Sequence, residues 1–563
     1  MKTISKIGFV ASLCALGLSS TAQVNEFNHI AGFPADHGRG DKVITTAISE
    51  VNPVATYVTA GVSLSTVAGE MPSVSLAKYD LSGMNLWHQT FIINSPSGVN
   101  TLTVRGLVEA SNPANSGYGI LAFTNAAGQQ SVLIKTDAAG NLMWKQTVGH
   151  EQAADLSYDA DLDRFLVLTR YLSGASADLQ LVVIDAKTGA ILFTRNFDGL
   201  NKSDDEPASI LYDGFNKAYI MTGTSTVKSI IGTQTQIMFV RTANTGALVY
   251  TRLIGYFGIQ HTAVAAALMP NGFNSQVEIA GVVTGVLNSK LYSKQPSYTS
   301  VDIATGNSAD VHVIRKNFDP RGIAFIASSS SLNIVGNAPI PFGSESNLYN
   351  IDPTDPTMLG TIHVYNHPFT TFAFNGISTG TPDQLVMVGS HMFPLPWAGS
   401  PANLNYHWLT TADAYGNGKC DNSDTLSVFE FPVPTMSGTA TSFVSFTKNG
   451  VTVEQITQSE SMIDGCDIPF RLSNTQNAAT AEFRLYPNPS TTSVTVEYTV
   501  ADNDNADLTL LDMSGRVILS QKLVSGDHAT TTLNVAELAS GLYYSDLRVN
   551  GLSVKKDKLV VQH

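Results

Sequence analysis

Apolar and polar side chains alternate along most of this chain, in short runs closed off by Gly, Asp, Asn and Ser. Gly119 to Phe123, Arg164 to Leu168, Ala218 to Thr222, Val277 to Gly281, Leu332 to Gly336 and Leu385 to Gly389 show the pattern. A period of two sends successive side chains to opposite faces, so these runs predict β-strands with a buried face. The 3.6-residue period of a helix is nearly absent, and the expected class is all-β.

One unit recurs along the chain: a β run, a turn built on Asp and Gly, then a second β run carrying an aromatic or large apolar residue. Clear copies are Lys78 to Trp87, Lys135 to Trp144, Ile184 to Phe193 and Arg241 to Tyr250; weaker ones follow at Val301 to Gly306, Ile351 to Gly360 and Thr411 to Asn417. The turn glycines Gly83, Gly140, Gly189, Gly246, Gly306, Gly360 and Gly416 are spaced by 57, 49, 57, 60, 54 and 56 residues. Asp caps such a turn with its carboxylate, and Gly takes the positive φ that other residues resist. With a further strand pair upstream of most turns, four strands per unit is the count of a propeller blade. The expected fold is therefore a β-propeller, most readily seven-bladed, with an eight-bladed ring or a pair of sandwiches as alternatives. Lys42 to Ala47 and Ser442 to Phe446 are expected to pair across the ring and close it. The unit resembles the propeller repeats common in secreted bacterial proteins, which fix architecture and leave chemistry open.

After a small, polar linker the last 81 residues alternate again, with about seven short strands, the size of an immunoglobulin-like β-sandwich. Four landmarks stand in order there: Tyr486-Pro487-Asn488-Pro489, then Leu511 to Val517 with Gly515, then Leu538 to Tyr543 with Gly541, and Lys558 to Val561 at the end. Together they resemble the type A C-terminal sorting domain of the type IX secretion system of Bacteroidota. The resemblance implies that this domain steers an exported protein across the outer membrane through the type IX machinery. It implies removal of the domain afterwards, leaving the cargo free or linked to surface lipopolysaccharide.

The N-terminus changes the picture in the same direction. Lys2 and Lys6 precede an apolar run from Ile7 to Leu18, and small residues surround Ala22. This is the pattern of a signal peptide cleaved before Gln23, and the apolar run falls short of the ~20 residues that span a bilayer. The expected division is 1–22 signal peptide, 23–470 propeller, 471–482 linker and 483–563 sorting domain, with no transmembrane segment in the mature chain. Without Cys14 of the leader, Cys420 and Cys466 remain, and an even pair in an oxidising compartment predicts a disulfide. With 46 acidic against 32 basic side chains the net charge is −14, and no basic run offsets it, which argues against nucleic acid as a partner.

Motifs for chemistry are sparse. Gly376 to Gly380 fits the nucleophile-elbow string around Ser378 but is followed by Thr381-Pro382 and a strand. His150-Glu151 lacks a second His at metal-binding spacing, and His363 and His367 fall in a β context. The carboxylate runs Asp159 to Asp163, Asp204 to Glu206 and Asp502 to Asn505 lack the glycine and distal Glu of a calcium loop and read as solvated loops, so no metal site and no cofactor is expected. Trp397, Tyr406 and Trp408 form the densest aromatic cluster and are candidates for stacking on sugar, with packing between blades as the competing role. The expected function is an exported or cell-surface propeller protein that binds a polysaccharide or protein ligand. A glycan-degrading enzyme and a non-catalytic surface component stand as alternatives, and no catalytic residue is assigned.

Overall fold

The computed structural model describes residues 28–464 and 483–563, apart from 32–36, 47–55, 65–71, 95–100, 393–404, 438–451 and shorter stretches between strands. It divides into two compact units, Met1–Cys466 and Asp467–His563. The leader, Ser442 to Phe446, Trp397, Cys420, Cys466 and the linker lie outside the described residues.

The first unit is a seven-bladed β-propeller. Blade 1 is built from His37–Thr46, Thr56–Leu64, Ser73–Tyr79 and Asn85–Asn94, each antiparallel to the next. Blades 2 to 6 repeat this plan over residues 102–149, 153–197, 204–254, 259–314 and 319–365. Blade 7 takes three strands, Thr371–Thr379, Gln384–Met392 and Asn405–Asp413, and borrows its fourth from the start of the chain. That strand is Asn28–Ala31, with Ile30 opposite Trp408. Ring closure thus differs from the sequence expectation: Lys42 to Thr46 belong to the innermost strand of blade 1, paired with its own neighbour. The first strand of each blade touches that of the next, and blade 7 returns to blade 1.

The alternation seen in the sequence serves two seams at once. In blade 2, Ile120, Ala122, Val132 and Ile134 face blade 1, whereas Leu121 and Leu133 face blade 3. Both faces of the middle strands are therefore covered; every residue of Gln130–Thr136 is buried, while the outer Leu142–Gly149 is only half covered. Aromatics after the turns lock neighbouring blades. A Cβ added to Gly189, whose φ is +73°, would stand 2.9 Å from the Trp144 ring of the preceding blade, and Gly246 meets Phe193 in the same way. Trp144 also donates its indole N–H to Ala186 O at 3.1 Å. In the turn itself Asp137 accepts from the N–H groups of Ala139 and Asn141 at 3.0 and 2.7 Å. Gly360 departs from the expected pattern: it lies within strand Leu359–Tyr365 and makes no turn.

Chain beyond blade 7 adds a further strand to the outer edge of five blades. Asp421–Pro432 pairs with the last strands of both blade 6 and blade 5, Thr435–Ser437 with blade 4, Thr452–Gln458 with blade 1 and Met462–Asp464 with the strand Asn28–Ala31 of blade 7. Backbone groups that an outer strand would otherwise leave open are paired there.

The second unit is a sandwich of a three-stranded and a four-stranded sheet. Val494, Val496, Tyr498 and Val500 alternate inward along Ser493–Val500 and pack with Leu508, Leu510, Leu547 and Leu559.

Candidate functional site

The innermost strand of every blade carries a β-bulge at the same level. The extra residue is Asp41, Arg105, Ala154, Ala208, Val264, Arg321 and Asn375 in blades 1 to 7, and all seven line one cavity of about 630 Å³ on the ring axis. A bulge leaves a backbone N–H without its ladder partner. The preceding blade supplies one: Asp41 Oδ2 accepts from Val104 N–H at 3.0 Å, Ser131 Oγ from Ala153 at 2.9 Å, Asp155 Oδ2 from Ile210 at 3.0 Å and Asn337 Oδ1 from Phe374 at 2.7 Å. The bulges are thus braced, and their side chains are held toward the axis.

The cavity is rich in cations although the chain is acidic. Arg39, Lys42, Arg105 and Arg321 face it against two carboxylates, Asp41 and Glu206. Both acids are engaged. Asp41 Oδ1 accepts from Arg39 Nε at 2.8 Å, and Glu206 forms an ion pair with Arg170, its Oε2 3.2 Å from Nε. Burial raises the pKa of Asp41, opposed by the charge of Arg39 and the Val104 N–H. Arg105 is half-buried, and its Nε is enclosed without a hydrogen-bond partner. Burial lowers its pKa while Asp41 and Glu206 hold it up, and a guanidinium in this setting stays charged at neutral pH. Two of the three cavity arginines, Arg105 and Arg321, form no ion pair among the described residues.

The sequence missed this set because the bulged residue changes identity from blade to blade. The aromatic candidates fare differently. Trp408 is fully buried, stacked on Phe374 at 4.5 Å between ring centres and 12° between planes, and offers no face to a sugar. Tyr406 lies in strand Asn405–Asp413 opposite His391, and Trp397 is outside the described residues. Ser378 sits in the extended strand Thr371–Thr379, away from any strand-to-helix turn. His363 is buried and packs against Gly416. Two acidic runs are not solvated loops. Asp159 is buried, caps the turn at Asp161 and Leu162, and accepts from Tyr219 Oη at 2.8 Å; Asp205 is fully buried.

In the second unit the landmarks converge on the last strand. Asn488 donates its side-chain N–H to Lys558 O at 2.6 Å and accepts from Val560 N–H at 2.9 Å. Ser490 N–H donates to Val560 O, and Gln562 N–H returns to Ser490 O, both at 2.9 Å. The Tyr486 to Pro489 segment and the Lys558 to Val561 ending are thus one clasp, which explains why they occur together. Tyr486 and Lys558 are exposed on it, and Gly541 opens the strand that carries Tyr543, whose hydroxyl bonds Ala539 O at 2.9 Å. Gly515 is outside the described residues.

Residues 484–562 match the family described as "Secretion system C-terminal sorting domain". No curated protein matches the chain in sequence. Among solved structures, the polysaccharide lyase Uly1 is similar at 11% identity and TM-score 0.41, over 69% of this chain and 99% of that one. The Dos1 propeller is similar at 10% and 0.38, over 69% and 95%. The Pan2 WD40 domain of Neurospora crassa is similar at 9% and 0.36, over 66% and 89%. Likenesses at this level assign no activity to this chain. The sorting domain makes the protein a type IX secretion substrate, secreted or displayed at the cell surface, and among the described residues no helix is long and apolar enough to cross a membrane.

Proposed function

We propose that the propeller binds an acidic ligand at its central cavity, an anionic polysaccharide first among the candidates, after export guided by residues 483–563. The observation that carries this reading is the convergence of Arg39, Lys42, Arg105 and Arg321 on one cavity of a chain whose net charge is −14. Cations gathered in a walled cleft, where the field is less screened than on an open surface, favour carboxylate or sulfate groups. Asp41 and Glu206 are held by Arg39 and Arg170, which suits positioning of the cations better than proton transfer.

The test is retention of the exported chain on polyuronate, sulfated and neutral polysaccharides, with released sugars assayed in the supernatant. Arg105→Gln and Arg321→Gln are each expected to weaken binding to the acidic polymers about 10- to 100-fold, the loss of one charge-assisted contact. Retention is expected to fall with added salt. Equal binding to neutral polymers, unaffected by either substitution, would remove the reading, and release of oligosaccharides would replace it with an enzyme.

The division at 22 and 470, the cleaved leader and the Cys420–Cys466 disulfide belong to the same proposal. Cys420 directly precedes the strand Asp421–Pro432 on blades 5 and 6, and Cys466 follows the strand Met462–Asp464 on blade 7 by two residues. A disulfide between them would fasten both ends of the segment that edges the blades. Thiol titration of the denatured, exported chain is expected to find no free thiol before reduction and two after; two before reduction would contradict the pairing.

A further inference from the structure

We propose that the acidic ligand of the central cavity is an O-acetylated acidic sugar, its acid held by blades 6, 7, 1 and 2 and its acetyl methyl laid against blades 3 to 5. This rests on the central-cavity reading above and adds which side of the ligand meets which part of the ring. The seven bulged positions fall into two arcs. Arg321, Asn375, Asp41 and Arg105 stand on blades 6, 7, 1 and 2, with Arg39 and Lys42 on either side of Asp41 in blade 1. Those four blades are consecutive, because blade 7 returns to blade 1. They bring four cations against one carboxylate, and Arg39 already binds that carboxylate. On the rest of the ring the same positions are Ala154, Ala208 and Val264, in blades 3, 4 and 5. No side chain of these three can donate or accept a hydrogen bond.

A second observation turns that arc away from hydroxyl groups. Backbone N–H groups at its bulges are taken by the blade before: Ala153 N–H donates to Ser131 Oγ at 2.9 Å, Ile210 N–H to Asp155 Oδ2 at 3.0 Å and Ala263 N–H to Thr224 Oγ1 at 3.0 Å. The polar side chains of blades 3 and 4 that line the cavity, Gln152 and Glu206, come two residues earlier, about 6–7 Å along the strand from Ala154 and Ala208. Glu206 is moreover paired with Arg170.

A sugar hydroxyl pressed on Ala154, Ala208 and Val264 would lose its water and gain no partner, which is unfavourable. Acetylation removes that donor and puts an ester with a methyl group in its place, and burial of the methyl on an apolar wall is favourable. The volume of about 630 Å³ falls in the range of sites for single small molecules, so one sugar unit with its substituents meets both arcs at once. The split between arcs is invisible along the sequence, because each blade contributes one bulged residue and the arcs exist only around the closed ring.

The experiment is calorimetric titration of the full exported chain with alginate and polygalacturonate oligomers, one portion of each chemically O-acetylated and the other left unmodified, so that length and charge match. Binding of the acetylated form is expected to be about 10-fold tighter. Val264→Asn and, as the milder change, Ala208→Ser are each expected to bring that ratio below about 3-fold, because a polar side chain then offers the hydroxyl a partner. Arg321→Gln is expected to weaken both forms together and to keep the ratio. Equal binding of the two forms by the wild type, or a preference that survives both Val264→Asn and Ala208→Ser, would overturn the proposal while leaving the acidic-ligand reading in place. Binding of neither form would sink that reading and this one with it, so the two failures are told apart.

Discussion

Trp408→Ala is expected to lower the unfolding free energy of the propeller by about 3–5 kcal/mol, the cost of emptying a fully buried aromatic site. Trp408 stacks on Phe374 and meets Tyr365 edge-on at 6.2 Å, and those two rings also meet each other at 5.3 Å, so its removal empties one corner of a three-ring cluster at the seam of blades 6 and 7. Its strand also pairs with Asn28–Ala31, the strand that closes the ring. The loss therefore falls where the two ends of the propeller meet. Urea unfolding followed by circular dichroism measures it. A change below about 1 kcal/mol, with a selective loss of polysaccharide binding, would return Trp408 to a role in stacking.

Glu278→Gln is expected to make the protein more stable at neutral pH by about 3 kcal/mol and to change little at pH 4.5. Glu278 is fully buried in blade 5; Ser300 donates to one oxygen, and the other has no partner. Burial pushes its pKa from 4.5 up to about 7, against the smaller opposing effect of the Ser300 hydrogen bond. The sign follows from proton counting. Between these two values the unfolded chain has lost the proton and the folded chain keeps it, so stability falls as pH rises, by about 1.4 kcal/mol per unit. Above the folded value the loss is complete; below 4.5 both states are protonated and it vanishes. Glutamine stays neutral throughout. Urea unfolding of both proteins at pH 4.5 and 7.5 gives the difference, and a gap independent of pH would show that Glu278 does not titrate in this window.

The repeat was legible because its third strand, turn and fourth strand obey local rules that leave marks in the sequence. Asp137 must cap, Gly189 must take a positive φ, and Trp144 must cover the next blade's glycine, so their residue types recur. The innermost strands leave no such mark. Their bulges interrupt the alternation at Gly40-Asp41-Lys42 and Val104-Arg105-Gly106, and the residue at the axis is free to vary. The closing strand Asn28–Ala31 is four residues long and is defined only by its distant partner. Trp408 was ambiguous for another reason: an aromatic that binds sugar and one that fills a seam are written with the same letter. The sorting domain was the most legible part, since the Asn488 side chain must meet the backbone of Lys558 and Val560, which ties two separated motifs to one geometry.

The central claim is that the ligand sits on the ring axis against the bulged strands. Hydrogen–deuterium exchange of the exported chain, with and without an acidic oligosaccharide that it retains, tests this most directly. The expected result is slower exchange in peptides covering Arg39 to Lys42, Thr103 to Arg105 and Arg321, with the outer strands unchanged. Protection confined to the outer edges of the blades or to residues 393–408, with the innermost strands unaffected, would contradict it.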